Sequence, residues 1–222
     1  LEQAQWNKLK RICTKLELSA DDHLLEIGTG WGSMAIYAAT HYGCRVTTTT
    51  LSDEQYAFTA QRIEELGLQD RITLLLKDYR ELEGEYDKLV SIEMIEAVGH
   101  EYFRNYFETC AARLKPHGLM LLQAITIRDQ RYEQARRGVD FIQRYIFPGG
   151  SLPSVSLIAT TLIWRCCIWK TLAATTLAPY VTGTTTSPQP VASYNISGMM
   201  TPFFGSGNFT SVTARAALSS AR

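Results

Sequence analysis

The stretch His23–Tyr37, HLLEIGTGWGSMAIY, constrains the fold more than any other part of the chain. A short apolar run leads into three glycines at alternate positions and then into residues with helical spacing, so the sequence reads strand, tight turn, helix. Glycine at 28, 30 and 32 removes the Cβ where the backbone must bend sharply and where a ligand would approach it. The helix that follows points its first amides into the same space, which suits a nucleotide-like cofactor. A turn of this kind also closes strand-to-helix junctions that bind nothing, so the rest of the chain has to decide.

Glu2–Leu16 sets Leu9, Ile12, Cys13 and Leu16 at helical spacing among Lys and Arg, predicting an amphipathic helix that leads into the sheet. Strands are expected at Leu24–Ile27, Arg45–Thr50, Arg71–Leu76, Tyr86–Ile92 and Leu119–Ile127. Helices are expected over Met34–Thr40, from Ser52 through Leu66, and over His100–Leu114, the last ended by Pro116 and Gly118. This alternation predicts an α/β fold with a doubly wound, mostly parallel sheet. Ligands of such sheets sit at the carboxyl ends of the strands. The rim there would carry Thr29 and Trp31, Thr50 and Ser52, Asp78 and Tyr79, Glu93 and Glu96, and the run from Gln123 to Ile127.

A dinucleotide site would place an acid at the end of the second strand, where this chain has Thr50, which counts against NAD. Asp78 can accept from an adenine amine with Tyr79 or Trp31 stacking nearby, or it can simply cap the turn that follows. Glu96 stands between Ile95 and Ala97, and a carboxylate in apolar surroundings at a strand's end is costly unless it is paired or functional. His23, His41 and His117 read as surface histidines.

The 22 Lys and Arg balance the 22 Asp and Glu, so no whole-chain field points to nucleic acid or to an anionic membrane. That balance conceals an asymmetry, because every acid lies at or before Asp140 and the remainder is rich in Thr, Ser, Ala and Pro. Five cysteines without metal-ligand spacing read as reduced, mostly buried thiols, and no metal site is expected. No signal peptide or spanning apolar run is seen, so a cytoplasmic protein is expected.

Several stretches in a fixed order carry a resemblance to a known family: LLEIGTGWGSMAIYAA, VTTTTLSDEQYAFTAQRI, DYRELEGEYDKLVSIEMIEAVGHEYF, LKPHGLMLLQAIT and FIQRYIFPGGSLPS. Over residues 2–157 the chain resembles the methyltransferase domain of cyclopropane-fatty-acyl-phospholipid synthases and mycolic acid cyclopropane synthases. The resemblance implies a Rossmann-like class I methyltransferase fold and S-adenosylmethionine as cofactor. The cofactor would lie over Gly28, Gly30 and Gly32 beside Glu26 and Trp31, with Thr50, Ser52 and Gln55 near its ribose and methionine portions and Asp78 with Tyr79 near adenine. It implies transfer of a methylene to the cis double bond of an unsaturated phospholipid acyl chain, with a bound bicarbonate as base. Glu96 matches the carboxylate that orients this anion, and the backbone at Ile125 matches another contact. Thr29 and Gln123 stand where many members have Cys and His, and glutamine cannot relay a proton. Carbon methylation without ring closure, or a fragment that only binds the cofactor, therefore stand as alternatives. Peripheral contact with the inner membrane and a homodimer are compatible with the resemblance.

The resemblance stops after the FPGG segment. Met199 and Met200 have fixed codons, and a shifted frame there reads Asp-Asp and lets Gly198–Ala221 match the family's C-terminal motif, while Trp164–Lys170 matches a second stretch. Three segments are therefore expected: a helix over 1–17, a truncated methyltransferase domain over 18–158, and a frame-shifted, poorly ordered tail over 159–222. The sheet would then lack its last two strands, and Leu162–Trp169 would form an apolar patch. Leu1 reads as an internal start, making the chain a fragment at both ends. The glycosylation spacings at Asn195 and Asn208 should mean nothing without a secretory signal.

Overall fold

The computed structural model describes residues 2–161, 165–171 and 210–217. Within them α1 (Glu2–Lys15) precedes an alternation of β1 (His23–Ile27), α2 (Ser33–Tyr42), β2 (Arg45–Thr50), α3 (Asp53–Glu65), β3 (Ile72–Leu76) and β4 (Tyr86–Ile92). Then follow α4 (Phe103–Ala112), β5 (Leu114–Thr126), α5 (Asp129–Arg137), α6 (Phe141–Tyr145), α7 (Val155–Thr161), β6 (Arg165–Thr171) and β7 (Thr210–Ala217). The sheet order is β3-β2-β1-β4-β5-β7-β6, with the first five strands parallel. This is the expected doubly wound sheet, and its order reverses between β1 and β4.

Period-two alternation along the strands divides the core. Leu24, Val46, Val90 and Leu121 face α1, α2 and α3, where Leu9, Ile12, Met34, Ala38 and Ile63 pack. Leu25, Ile27, Leu89, Met120 and Leu122 face α4, where Phe103, Tyr106 and Phe107 pack together with Ile158 of α7. Cys13, Cys44 and Cys110 are free and buried, and burial pushes the Cys13 and Cys110 thiols up to about 12, leaving them unreactive as thiolates.

Three differences from the sequence reading have physical causes. The helix expected to reach Leu114 ends at Ala112, because Tyr86 N–H takes the Arg113 carbonyl and draws Leu114 into register opposite Tyr86. Pro116 and Gly118 then fall in an irregularity of β5 rather than beyond a helix end. His23 is not a surface histidine: its Nε2 lies 2.9 Å from Thr47 Oγ1, its ring packs edge-on to Tyr86 at 4.7 Å, and burial lowers its pKa.

The third difference is the sheet itself, which does not stop at β5. The antiparallel strand β7 pairs with β5 from Leu119↔Ala217 to Thr126↔Thr210, and β6 pairs with the far side of β7. An open strand edge pairs through backbone N–H and C=O groups, so a short run such as Thr210–Ala217 can cover it whatever its side chains. Part of the expected apolar patch, Arg165–Trp169, belongs to β6. Met199 and Met200 of the frame-shift match, the glycosylation asparagines Asn195 and Asn208, and Leu162–Trp164 lie outside the described residues.

Candidate active site

The glycine turn follows β1 and is fastened to the end of β2. Gly28 and Thr29 N–H both donate to the Thr49 carbonyl, at 3.2 and 2.9 Å, and Gly32 N–H donates to the Thr29 carbonyl at 3.0 Å. Gly28, Gly30 and Gly32 all have positive φ, at 98°, 51° and 78°. Gly32 caps α2 without a side-chain hydrogen bond, so the first amides of that helix remain open to an acceptor.

The glycines differ in what surrounds them. A Cβ on Gly32 would lie 2.6 Å from Thr59 Cγ2, whereas one on Gly30 would meet nothing within 4 Å. Gly32→Ala should therefore add a clash to the cost of a positive φ and destabilise the fold by about 2–3 kcal/mol or more. Gly30→Ala should carry only the conformational cost of about 1–2 kcal/mol while placing a methyl where a ligand would lie. Urea unfolding of both variants checks the ordering.

Behind the turn runs a buried hydroxyl chain. Thr29 Oγ1 lies 2.7 Å from Thr48 Oγ1, which donates to Glu26 Oε2 at 2.7 Å. Glu26 is register partner of Thr48 and 2% exposed, and burial pushes its carboxyl up to about 8 despite the Thr48 hydrogen bond. Glu26 thus supports the turn from within the core. At the end of β2, Thr50 Oγ1 donates to Gln55 Oε1 at 2.8 Å, and Ser52 caps α3 by accepting from Gln55 N–H at 3.2 Å. Asp78 caps the turn Tyr79–Glu81 and takes both Nε and Nη2 of Arg80 at 2.9 and 2.6 Å, which holds its carboxyl below the usual range. Tyr79 packs edge-on to Tyr106 at 5.5 Å, and Trp31, more than half exposed, packs edge-on to Phe58 at 5.3 Å.

Across the switch point, β4 is followed by Glu93 at φ 51°, a conformation uncommon outside glycine, and the chain turns to bring Met94 against Gly28. Glu96 follows in the tight turn Ile95–Ala97, anchored by the buried Ile95. Ile125 N–H donates to Glu96 Oε1, while Oε2 is buried without a partner among the described residues. Burial pushes this carboxyl up to about 7, against the pull of the Ile125 amide. Ser151 N–H donates to the Glu96 carbonyl at 2.7 Å, so the FPGG segment is laid on the same turn.

The expected four-residue catalytic group therefore divides. Glu96 and Ile125 meet directly. Gln123 instead donates from Nε2 to Glu93 Oε1 at 2.6 Å, with Lys8 Nζ 3.7 Å from the same oxygen, and Thr29 is held by Thr48. The sequence placed Glu93 on the rim but gave it no role, because its partner becomes visible only from the register Ile92↔Gln123. Among the described residues no group of His, Cys, Asp and Glu could hold a metal ion, and no helix is long and apolar enough to cross a membrane.

A parallel sheet with this switch point, turn and carboxylate is the Rossmann-like architecture of methyltransferases. It superposes on mycolic acid cyclopropane synthase CmaA1, complexed with SAH and CTAB, with a TM-score of 0.70 and 29% identity over 78% of this chain and 65% of that one. The chain belongs to the mycolic acid cyclopropane synthetase family, whose sequence profile matches residues 1–178. It is 39% identical over 165 residues to a probable fatty acid methyltransferase of Pseudomonas putida, covering 73% of this chain and 42% of the relative. It is 42% identical over 160 residues to the cyclopropane-fatty-acyl-phospholipid synthase of Escherichia coli K12, covering 72% and 40%. The chain thus spans about two fifths of the length of these relatives.

Proposed function

We propose that this chain binds S-adenosylmethionine on the turn Gly28–Gly32 and transfers its one-carbon unit to the double bond of an unsaturated lipid acyl chain. The observation that carries this reading is Glu96, a carboxylate with one buried oxygen unpartnered among the described residues, in the turn whose Met94 packs against the cofactor cradle. The uncapped start of α2 and the open space at Gly30 fit the cofactor's polar end, with Thr50, Ser52 and Gln55 along the same rim and Asp78 with Tyr79 toward its base. Bound there, the cofactor supplies an electrophilic methyl group. An alkene is a weak nucleophile, so this chain's part is to align it, exclude water and stabilise positive charge on the acyl chain. Ionised Glu96, held at Oε1 by Ile125, offers Oε2 to that charge or to the proton that leaves.

Ring closure is proposed with a second reading beside it, methylation without closure. Gln123 is spent on Glu93, Thr29 on Thr48 and the Ile125 amide on Glu96, so three of the four expected contacts to a bicarbonate are engaged elsewhere and Glu96 Oε2 alone of the four is open among the described residues. Two of the relatives, from Pseudomonas putida and from Mycobacterium tuberculosis, are described as a fatty acid and a tuberculostearic acid methyltransferase. Incubation with 1-palmitoyl-2-oleoyl phospholipid, which carries a single double bond, and S-adenosylmethionine separates the readings. A product heavier by one CH2 without alkene protons in its NMR spectrum supports closure, one that keeps them supports methylation alone, and calorimetric cofactor binding without either product leaves a binding fragment.

A further inference from the structure

The side-chain amide of Gln123, expected to hold a bound bicarbonate, is given instead to a carboxylate of the chain itself. Its Nε2 donates to Glu93 Oε1 at 2.6 Å, the Glu93 N–H donates to the Gln123 carbonyl at 2.8 Å, and Lys8 Nζ of α1 lies 3.7 Å from the same Oε1. An amide and an ammonium, donors that a small oxyanion would take, thus converge on Glu93. Glu93 meets them at φ 51°, which a glutamate keeps only where its surroundings impose it. Its side chain is 24% exposed, and Oε2 accepts no hydrogen bond among the described residues. The same strand end grips both acids of the rim: β5 holds Glu93 through Gln123 and Glu96 through the Ile125 amide two residues on. Met94, between the two acids in sequence, packs against Gly28 of the cofactor turn. Burial is the main cause that raises the Glu96 carboxyl, and the charge of Glu93 adds to it.

We propose that the Glu93 carboxylate takes the place of an exchangeable bicarbonate and is the chain's own acceptor of the proton that leaves the substrate, with Gln123 and Lys8 as its holders. This deepens the proposed lipid reading and rests on it for the substrate. Once the methyl group has joined one alkene carbon and left positive charge on the other, Glu93 Oε2 takes a proton from the transferred methyl. The electron pair of that C–H bond closes the ring, or forms a new C=C where no ring closes, and the carboxylate becomes a carboxylic acid that returns its proton to water through its exposed side. Glu96 is then left to stabilise the charge, and Gln123 has only to hold the acceptor, which an amide can do without relaying a proton.

The test follows bicarbonate itself, labelled with carbon-13 and titrated against the full chain, with binding read from the broadening of its NMR line. The wild type and Glu93→Gln are expected to bind none. Glu93→Gly is expected to bind it, because glycine suits φ 51° and its missing side chain frees Gln123 Nε2 and Lys8 for an anion. Circular dichroism and calorimetry with S-adenosylmethionine accompany both variants and should hold. In turnover of 1-palmitoyl-2-oleoyl phospholipid, the wild type should be indifferent to the removal of carbon dioxide and bicarbonate. Both variants should fall by about 10²-fold or more, and bicarbonate should restore Glu93→Gly but not Glu93→Gln. Bicarbonate that binds the wild type or speeds its turnover overturns the proposal, as does a folded Glu93→Gly that binds none, or a Glu93→Gln with full turnover. A wild type that fails to bind S-adenosylmethionine or to form product, with the bicarbonate pattern as expected, sinks the proposed function and leaves Glu93 in the anion's place.

Discussion

Glu96→Gln is expected to lower turnover by about 10²–10⁴-fold while leaving S-adenosylmethionine affinity within a few-fold. Glutamine keeps the acceptor that Ile125 N–H needs, so the turn Ile95–Ala97 and the Ser151 contact should persist. What it removes is the charge on the buried, unpartnered oxygen. In the wild type that charge appears as pH rises through about 7, because burial raises the carboxyl from its ordinary value of 4.5. Turnover should accordingly rise with pH through about 7, and the variant's residual rate should lack that limb.

Stability should move the other way. A carboxyl whose folded pKa is raised gives stability that is complete below about 4.5 and lost as pH climbs through about 7. The variant should escape this loss and unfold at equal or higher urea above pH 7, by about 3 kcal/mol at most. A large loss of cofactor affinity, or a variant less stable than wild type at pH 8, would show that Glu96 serves the fold and not the reaction. Site residues that cost stability are common where function needs a charge away from water.

Much of the scaffold is readable in the chain because local chemistry and tertiary demand agree there. The β-branched run Arg45–Thr50 and the run Tyr86–Ile92 form strands with the expected bounds, and Ser52 caps α3 as its position before Glu54 and Gln55 implies. Legibility fails where partners are distant. The early end of α4 depends on the Tyr86–Arg113 hydrogen bond, and β7 depends on an open edge of β5 nearly a hundred residues earlier. The site shows the same division. Residue types on the rim follow from strand order, but Gln123 turning to Glu93, Asp78 being clasped by Arg80, and Glu26 lying behind Thr48 depend on side-chain directions that no spacing in the sequence contains.

Glu26→Gln is the substitution expected to change pH dependence most. Glu26 is buried between strands, its carboxyl is pushed from 4.5 up to about 8, and burial outweighs the Thr48 hydrogen bond that pulls it down. The sign is that of any acid with a raised folded pKa: the stability it permits is complete below about 4.5 and is lost as pH rises through about 8. A displacement of this size corresponds to about 5 kcal/mol at most between the ends of that window. Glutamine has nearly the same shape, still accepts from Thr48 Oγ1, and never ionises, so between pH 5 and about 9 its urea midpoint should keep only the fall that Glu96 causes through about 7, where the wild type's falls further. Glu26→Ala behaves differently, because it opens a cavity and strands the Thr48 hydroxyl, and it should destabilise by about 2–4 kcal/mol already at pH 5. The two variants together separate charge from packing: a glutamine midpoint that falls in parallel with the wild type would assign the whole pH dependence to other groups, whereas a glutamine midpoint that keeps only the Glu96 limb, with a weak alanine variant, would locate in Glu26 both the upper pH limit of the fold and the support of the glycine turn through Thr48 and Thr29.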